Sequence, residues 1–224
     1  MASTFFGLHI GSSALSSFQV ATNTTANNIA NVKTTGYTRQ AATLQAKDAI
    51  NVTARYGSVG TGVTVTSIKQ QRDLYYDNKY WENNSCYGRY EQKLYYMEQI
   101  QNYFKDNGSS VKGFSSVFSQ MFSDLDTLRS KPSDKTVRNQ FISSAQSLCT
   151  YFNQMSDNLS KLQDDCNEEI RNNVDEINSI SEKISLLNKE INQIETGTGV
   201  EASSLRDERA NLIDRLSKIV NVSY

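Results

Sequence analysis

Apolar positions spaced three and four residues apart run through most of this chain and predict long helices. Near the N-terminus Leu8, Gly11, Leu15, Phe18, Thr22, Thr25, Ile29 and Val32 step alternately by three and four, the seam of a helix that needs a partner helix. The period stops at Thr34-Thr35-Gly36, where glycine takes a positive φ without steric cost, and residues 37–44 turn β-prone. Residues 63–68 alternate with a period of two after Gly57, Gly60 and Gly62, so 37–44 and 62–68 are candidate strands of a hairpin-like excursion between helices.

Beyond Arg72 the helical period returns. Tyr87, Tyr90, Leu94, Met97, Gln101 and Phe104 place an aromatic stripe along a helix that ends near Asn107-Gly108. A shorter helix carries Phe114, Val117, Phe118, Met121, Phe122, Leu125 and Leu128 and stops before Pro132, with Asp134 placed to cap its successor. The next seam is the longest: Phe141, Ala145, Leu148, Phe152, Met155, Leu159, Leu162 and Cys166, then, after a stutter, Ile170, Val174, Ile177, Ile180, Ile184, Leu187, Ile191 and Ile194. Gly197 and Gly199 end it, and a last helix carries Leu205, Leu212, Ile213, Leu216 and Ile219.

The pattern therefore predicts a mainly α fold: an elongated antiparallel coiled-coil-like helical bundle, with a small β-hairpin excursion after an N-terminal helix. Its expected parts are residues 1–33 as an N-terminal helix, 34–70 as a β-containing connector, 71–219 as the long helical bundle and 220–224 as the start of a strand. Leu94, Phe104, Leu148, Phe152, Leu159, Ile184 and Leu187 are its expected core.

Charge adds an exclusion and a peculiarity. With 23 basic and 24 acidic residues the net charge is −1, which gives no basis for binding nucleic acid or an anionic membrane, so the partner is expected to be protein. No Asp, Glu, Lys or Arg occurs before Lys33, which suits a helix packed on most sides by neighbours. That leader has no basic n-region and its apolar run is broken by Ser12, Ser13, Ser16 and Ser17, so no cleavable signal peptide is expected.

Candidate chemistry is sparse. His9 is the lone histidine, no Gly-x-Ser-x-Gly elbow occurs, and Asp164-Asp165 with Glu168-Glu169 read as a solvated helix face. Cys86, Cys149 and Cys166 are too far apart for a disulfide framework or a CxxC metal site, and Cys149 and Cys166 read as small core residues. No catalytic, cofactor-binding or metal-binding residues are expected.

Three motif sets point further. Asn27-Asn28-Ile29-Ala30-Asn31 followed by Gly36-Tyr37-Thr38-Arg39-Gln40 resembles the N-terminal signature of bacterial flagellar axial proteins. Gly60 to Ile68 leading into Arg72-Asp73 is similar to the hook-associated protein 1 family. So are Pro132, Asp134 and Arg138, the Ile177-Asn178, Leu187-Asn188 and Ile191-Asn192 repeats, and Leu205-Arg206-Asp207-Glu208-Arg209. The resemblance covers essentially the whole chain but only the N-terminal part of the family. The family's C-terminal half, with the helix that pairs with the N-terminal one, and the outer domain after the Val-x-Val strand are not in it.

The resemblance implies an extracellular structural subunit of the flagellum that joins hook to filament, exported through the flagellar channel. Expected partners are the hook protein, the second junction protein, further copies of this chain, and an export chaperone before secretion. It places subunit contacts at Leu8, Leu15, Phe18, Asn27, Asn28, Ile29, Asn31, Gly36, Tyr37 and Arg39. Two rivals remain: a hook or rod subunit, which usually carries Gly-Phe-Lys where this chain has Gly36-Tyr37-Thr38-Arg39, and a soluble helical adaptor or chaperone-like binding module.

Overall fold

The computed structural model describes residues 5–53, 57–104 and 113–223. In chain order these form α1 (Phe6–Ala30), β1 (Gln40–Ala46), β2 (Ile50–Thr53), β3 (Gly57–Val59), β4 (Val63–Gln70), α2 (Leu74–Phe104), α3 (Phe114–Ser130), α4 (Lys135–Thr198) and α5 (Ser203–Ile219). The fold is mainly α with a small antiparallel excursion, as the sequence pattern predicts. The two candidate strands pair, from Gln40 opposite Gln70 to Ala46 opposite Val63, with a register irregularity between Thr43 and Leu44. Between them β2 and β3 make a second, smaller antiparallel pair that the alternation did not reveal. The strand expected after Val220 does not form: Val220 is extended, but no ladder includes it or the described residues after it.

The chain divides into two compact units, one made of residues up to Ser85 together with those from Ile177 onward, the other of Cys86–Glu176. In the first, α1 packs on β1 and β4. The start of α2, the end of α4 and α5 enclose Trp81, Ile180, Leu187, Ile191, Ala210 and Ile213. Here the seam read from sequence holds from Ile177 to Ile191, with Ile180, Leu187 and Ile191 buried and Ile177 and Ile184 half-buried, while its last member, Ile194, is exposed. Gly199 at φ +68 ends α4, its N–H donating to the Glu195 carbonyl at 2.9 Å, and the chain turns back. Glu195 then meets Arg206, and Asn188 meets Arg209, so α4 and α5 run antiparallel.

In the second unit the expected helices are present but two faces differ from expectation. On α2 the aromatic stripe points to solvent: Tyr87, Tyr90, Leu94, Met97 and Phe104 are all exposed, Leu94 at 60%. The half-buried positions are Gly88, Gln92, Tyr96, Gln99, Ile100 and Tyr103. What holds that face is polar, since Gln92 Nε2 and the Tyr96 hydroxyl both donate to the Glu169 carboxylate of α4. This pairing and the loss of water around it push the Tyr96 hydroxyl pKa upward. On α4 Phe152 is 52% exposed and Leu159 is also exposed, leaving Met155 as the buried member of that seam and Leu148 half-buried. Cys149 is exposed and Cys166 half-buried, so Cys149 is not the core residue its position suggested.

The helix starts follow from short-range chemistry. Asp73 Oδ1 accepts from the Tyr75 N–H while Arg72 pairs with Asp77 at 2.5 Å, so the Arg-Asp motif is the staple that opens α2. Asp134 Oδ1 accepts from the Thr136 N–H at 2.8 Å and Arg138 reaches back to the Pro132 carbonyl at 2.7 Å, which gives Pro132, Asp134 and Arg138 one joint role at the start of α4. The turn expected at Asn107-Gly108 lies outside the described residues.

Candidate functional site

The N-terminal helix presents two unlike faces. Leu8, Leu15, Phe18, Ile29 and Val32 are exposed, Leu15 at 71%. Gly11, Thr22 and Thr25 are exposed with them, so every position of the three-four seam lies on the side that this chain leaves open. The opposite face carries small and polar residues beside half-buried Ile10, Ala14 and Val20. Ser17 and Thr24 are its buried residues; Ser13 and Ser17 hydroxyls donate to the Val63 carbonyl at 2.5 and 3.1 Å, while Thr24 bonds back to Val20. Small side chains let the hairpin approach closely, and the hydroxyls satisfy a carbonyl at the start of β4.

At the other end of α1 the three expected asparagines form a linked group. Asn28 Nδ2 donates to the Gln40 carbonyl at 2.8 Å and Asn28 Oδ1 accepts from the Gln40 N–H at 2.9 Å, so one side chain replaces a strand neighbour for the first residue of β1. The Tyr37 hydroxyl donates to Asn28 Oδ1 at 2.8 Å and accepts from Asn27 Nδ2 at 3.1 Å. Asn31 Nδ2 bonds the Asn27 carbonyl and side-chain oxygen, and Thr34 donates to Asn31 Oδ1. These bonds are all internal: Asn27, Asn28, Asn31 and Tyr37 fix the passage from helix to strand.

Gly36 sits at φ +75, which favours glycine, and a Cβ there would lie 1.7 Å from Asn211 Oδ1 of α5, so any larger residue would also have to push that amide aside. Arg39 is exposed, and its backbone carbonyl accepts from the Gln71 N–H at 2.8 Å. Its side chain borders an open groove of about 560 Å³ between α1 and β1, shared with Ile29, Val32 and Tyr37. The expected contact residues thus fall into an outward apolar row, an inward polar clamp, and Arg39 at the groove edge.

Sequence reasoning missed the far side of this clamp. Gln70, the last residue of β4, donates through Nε2 to Ser203 O at 2.9 Å and to Asp207 Oδ1 at 2.8 Å, and its N–H meets Glu201 Oε1 at 3.3 Å. The Leu205 to Arg209 motif therefore works three ways. Arg206 grips Glu195 with two parallel bonds of 2.7 and 2.8 Å, Asp207 holds the hairpin, and Arg209 donates to Asn188. Glu195 also accepts from the Ala202 N–H, and the Arg206 guanidinium keeps its carboxyl down at about 2. Beside them Trp81 Nε1 donates to Asp214 at 2.7 Å, and Asn84 donates to the Asp214 carbonyl and to the fully buried Ser217. The motif order was visible in the sequence; the meeting of Gln70 with Asp207, 137 positions apart, was not.

Among the described residues no group of His, Cys, Asp and Glu is arranged to hold a metal ion, and no helix is long and apolar enough to cross a membrane.

Residues 97–224 match the family described as the flagellar hook-associated protein FlgK helical domain, and residues 8–38 match the flagella basal body rod protein family. The chain is 34% identical over 227 residues to flagellar hook-associated protein 1 of Bacillus subtilis (strain 168), a match covering 99% of this chain and 44% of the relative. It is 33% identical over 216 residues to flagellar hook-associated protein 1 of Salmonella typhimurium, covering 94% of this chain and 37% of the relative. The Escherichia coli (strain K12) protein of the same name is 32% identical over 216 residues, 94% of this chain and 38% of the relative. The chain thus spans less than half the length of these relatives.

Proposed function

The chain belongs to the flagellar hook-associated protein FlgK family, and on that premise we propose that it is a structural subunit of the bacterial flagellum joining hook to filament. The observation that carries this reading is the outward row of α1. A helix without a formal charge leaves Leu8, Leu15, Phe18 and Ile29 in water while its polar face is satisfied internally. Such a row gains only by burial against another chain or segment, and open helical arrays form when each subunit offers the surface its neighbour lacks. Its position within the segment similar to rod proteins, ahead of the segment similar to the FlgK helical domain, fits a subunit of the flagellar axis.

On this reading residues 1–33 are the axial helix, 34–70 the connector and 71–219 the bundle domain. The partners are other axial proteins: the hook protein, the second junction protein and further copies of this chain, with an export chaperone before secretion. The site of action is the extracellular flagellum, reached through the flagellar export channel. The role is assembly, not catalysis.

Replacing Leu8, Leu15 and Phe18 together by Asn tests it, because all three are exposed and their loss leaves the subunit's own fold intact. Cells carrying this variant are expected to lose incorporation between hook and filament and to shed filament protein into the medium. Filaments and swimming equal to wild type, with the variant present at normal level, would overturn the proposal.

A further inference from the structure

The hairpin that carries α1 is hydrogen-bonded to α5 through the side chain of its last residue, Gln70. Gln40 and Gln70 are partners at the open end of the β1–β4 ladder. Asn28 of α1 holds the Gln40 backbone, while Ser13 and Ser17 hold the hairpin at Val63, so helix and hairpin form one body. That body meets α5 at Gln70 and at the close approach of Gly36 to Asn211. We propose that Gln70 is a positioning residue, which sets the direction of α1 relative to α5 and so aims the outward apolar row of α1. The inference rests on α1 being the assembly helix, as argued above.

Three features single out Gln70. Both hydrogens of its amide nitrogen have acceptors on α5, the Ser203 carbonyl and the Asp207 carboxylate, so the carboxamide has one satisfied orientation. Asp207 is buried, and a buried carboxylate deprived of its donor strongly favours any rearrangement that brings water to it. The backbone N–H of Gln70 also meets Glu201 Oε1 just ahead of α5, so main chain and side chain of one residue both reach the start of that helix. Leverage then decides the consequence. A helix of 25 residues is about 37 Å long at ~1.5 Å per residue, so a rotation of about 10° at the clamp carries its far end through roughly 6 Å. That exceeds the tolerance of side-chain packing, which registers shifts of a single methylene.

The test is a distance between nitroxide labels at Gln19→Cys on α1 and Glu208→Cys on α5, both exposed positions, in the full chain with its three native cysteines replaced by serine and read by pulsed electron resonance. One narrow peak is expected with Gln70 present. Gln70→Ala, and Gln70→Glu, which turns the donor into an acceptor facing Asp207, are expected to lose that single peak while circular dichroism and the melting temperature of the helices hold. Lys69→Ala, next in the strand and exposed, is expected to keep it. A distribution unchanged in both Gln70 variants, or already broad before substitution, overturns the positioning role. Neither result bears on the proposed function, which stands or falls separately on filament attachment in the α1 face variant.

Discussion

Gln40 and Gln70 stand opposite each other at the end of the β1–β4 ladder, and each is bound by a different helix: the Gln40 backbone by Asn28 of α1, the Gln70 carboxamide by Asp207 of α5. One strand pair thereby links two helices that lie at opposite ends of the sequence. The two side chains do different work, since Asn28 completes a backbone ladder and Gln70 answers a buried charge.

Asn28→Asp removes the donor facing the Gln40 carbonyl but keeps the oxygen that accepts from Gln40 and Tyr37. It sets a carboxylate against a carbonyl, and a half-buried group left unmatched costs about 1–3 kcal/mol. The expected readout is local: amide exchange at Gln40 and Gln71 accelerates, while exchange in the interior of α4 does not change. Tyr37→Phe, which removes one of two partners of Asn28 Oδ1, is expected to have a smaller effect of about 0.5–1.5 kcal/mol.

Gly36 separates two contributions that usually travel together. Its φ of +75 costs any other residue roughly 1–2 kcal/mol, and a Cβ would also meet Asn211 at 1.7 Å. Gly36→Ala is therefore expected to cost more than the backbone strain alone. In an Asn211→Ala background its cost is expected to fall back to that strain, as measured by urea unfolding of the four chains. A cost for Gly36→Ala that is the same in both backgrounds would remove the contact from the account.

How much the sequence disclosed depended on what lies inside each face. Where large aliphatic residues fill a three-four seam, as from Ile177 to Ile191, periodicity located the core. It failed on α2 because an apolar period marks the inner face only where apolar residues fill it, whereas here Gly88, Gln92 and Gln99 alternate inward with Tyr96, Ile100 and Tyr103 while Tyr87, Tyr90, Leu94 and Phe104 face out. Among what holds that face are a small residue and a shared carboxylate at Glu169, and neither leaves a hydrophobic period. On α1 the seam expected to face a partner helix is the side left open. The asparagine cluster stood out in the sequence, but its part in closing a helix-to-strand turn depends on bonds between residues 9 to 12 apart that no periodicity encodes. The link from Gln70 to Asp207 depends on tertiary structure alone.

Two substitutions on α4 distinguish these readings by size. Ile180 is 2% exposed in the core of the first unit, and Ile180→Ala is expected to destabilise by about 2–5 kcal/mol through lost burial and the cavity left behind. Phe152 lies on the expected seam but is half in solvent, touching the rings of Phe114 and Tyr151 at centroid distances of 6.0 Å each. Phe152→Ala is expected to cost only about 1 kcal/mol, the worth of such ring contacts at a half-exposed site. Denaturation midpoints that ranked the two in the opposite order would restore Phe152 to the core.

The ion pair that joins the end of α4 to α5 gives stability a defined pH dependence. The Glu195 carboxyl is held at about 2 against an ordinary 4.5, first by its bonds to Arg206 and then by the Ala202 N–H, against the opposing effect of partial burial. A carboxyl depressed in the folded state binds fewer protons there than in the unfolded chain. Its contribution is therefore complete above about 4.5 and is lost as pH falls toward 2. Both side chains are partly exposed, at 37% for Arg206 and 25% for Glu195, so salt weakens the effect. The unfolding midpoint in urea is expected to drop across that window in the native chain. In Arg206→Gln the Glu195 carboxyl returns toward its ordinary value and the drop shrinks, while the midpoint at pH 7 is already lower. Equal slopes in the two proteins between pH 4.5 and 2 would mean that another carboxylate carries the acid sensitivity, and that Arg206 holds the turn by geometry alone.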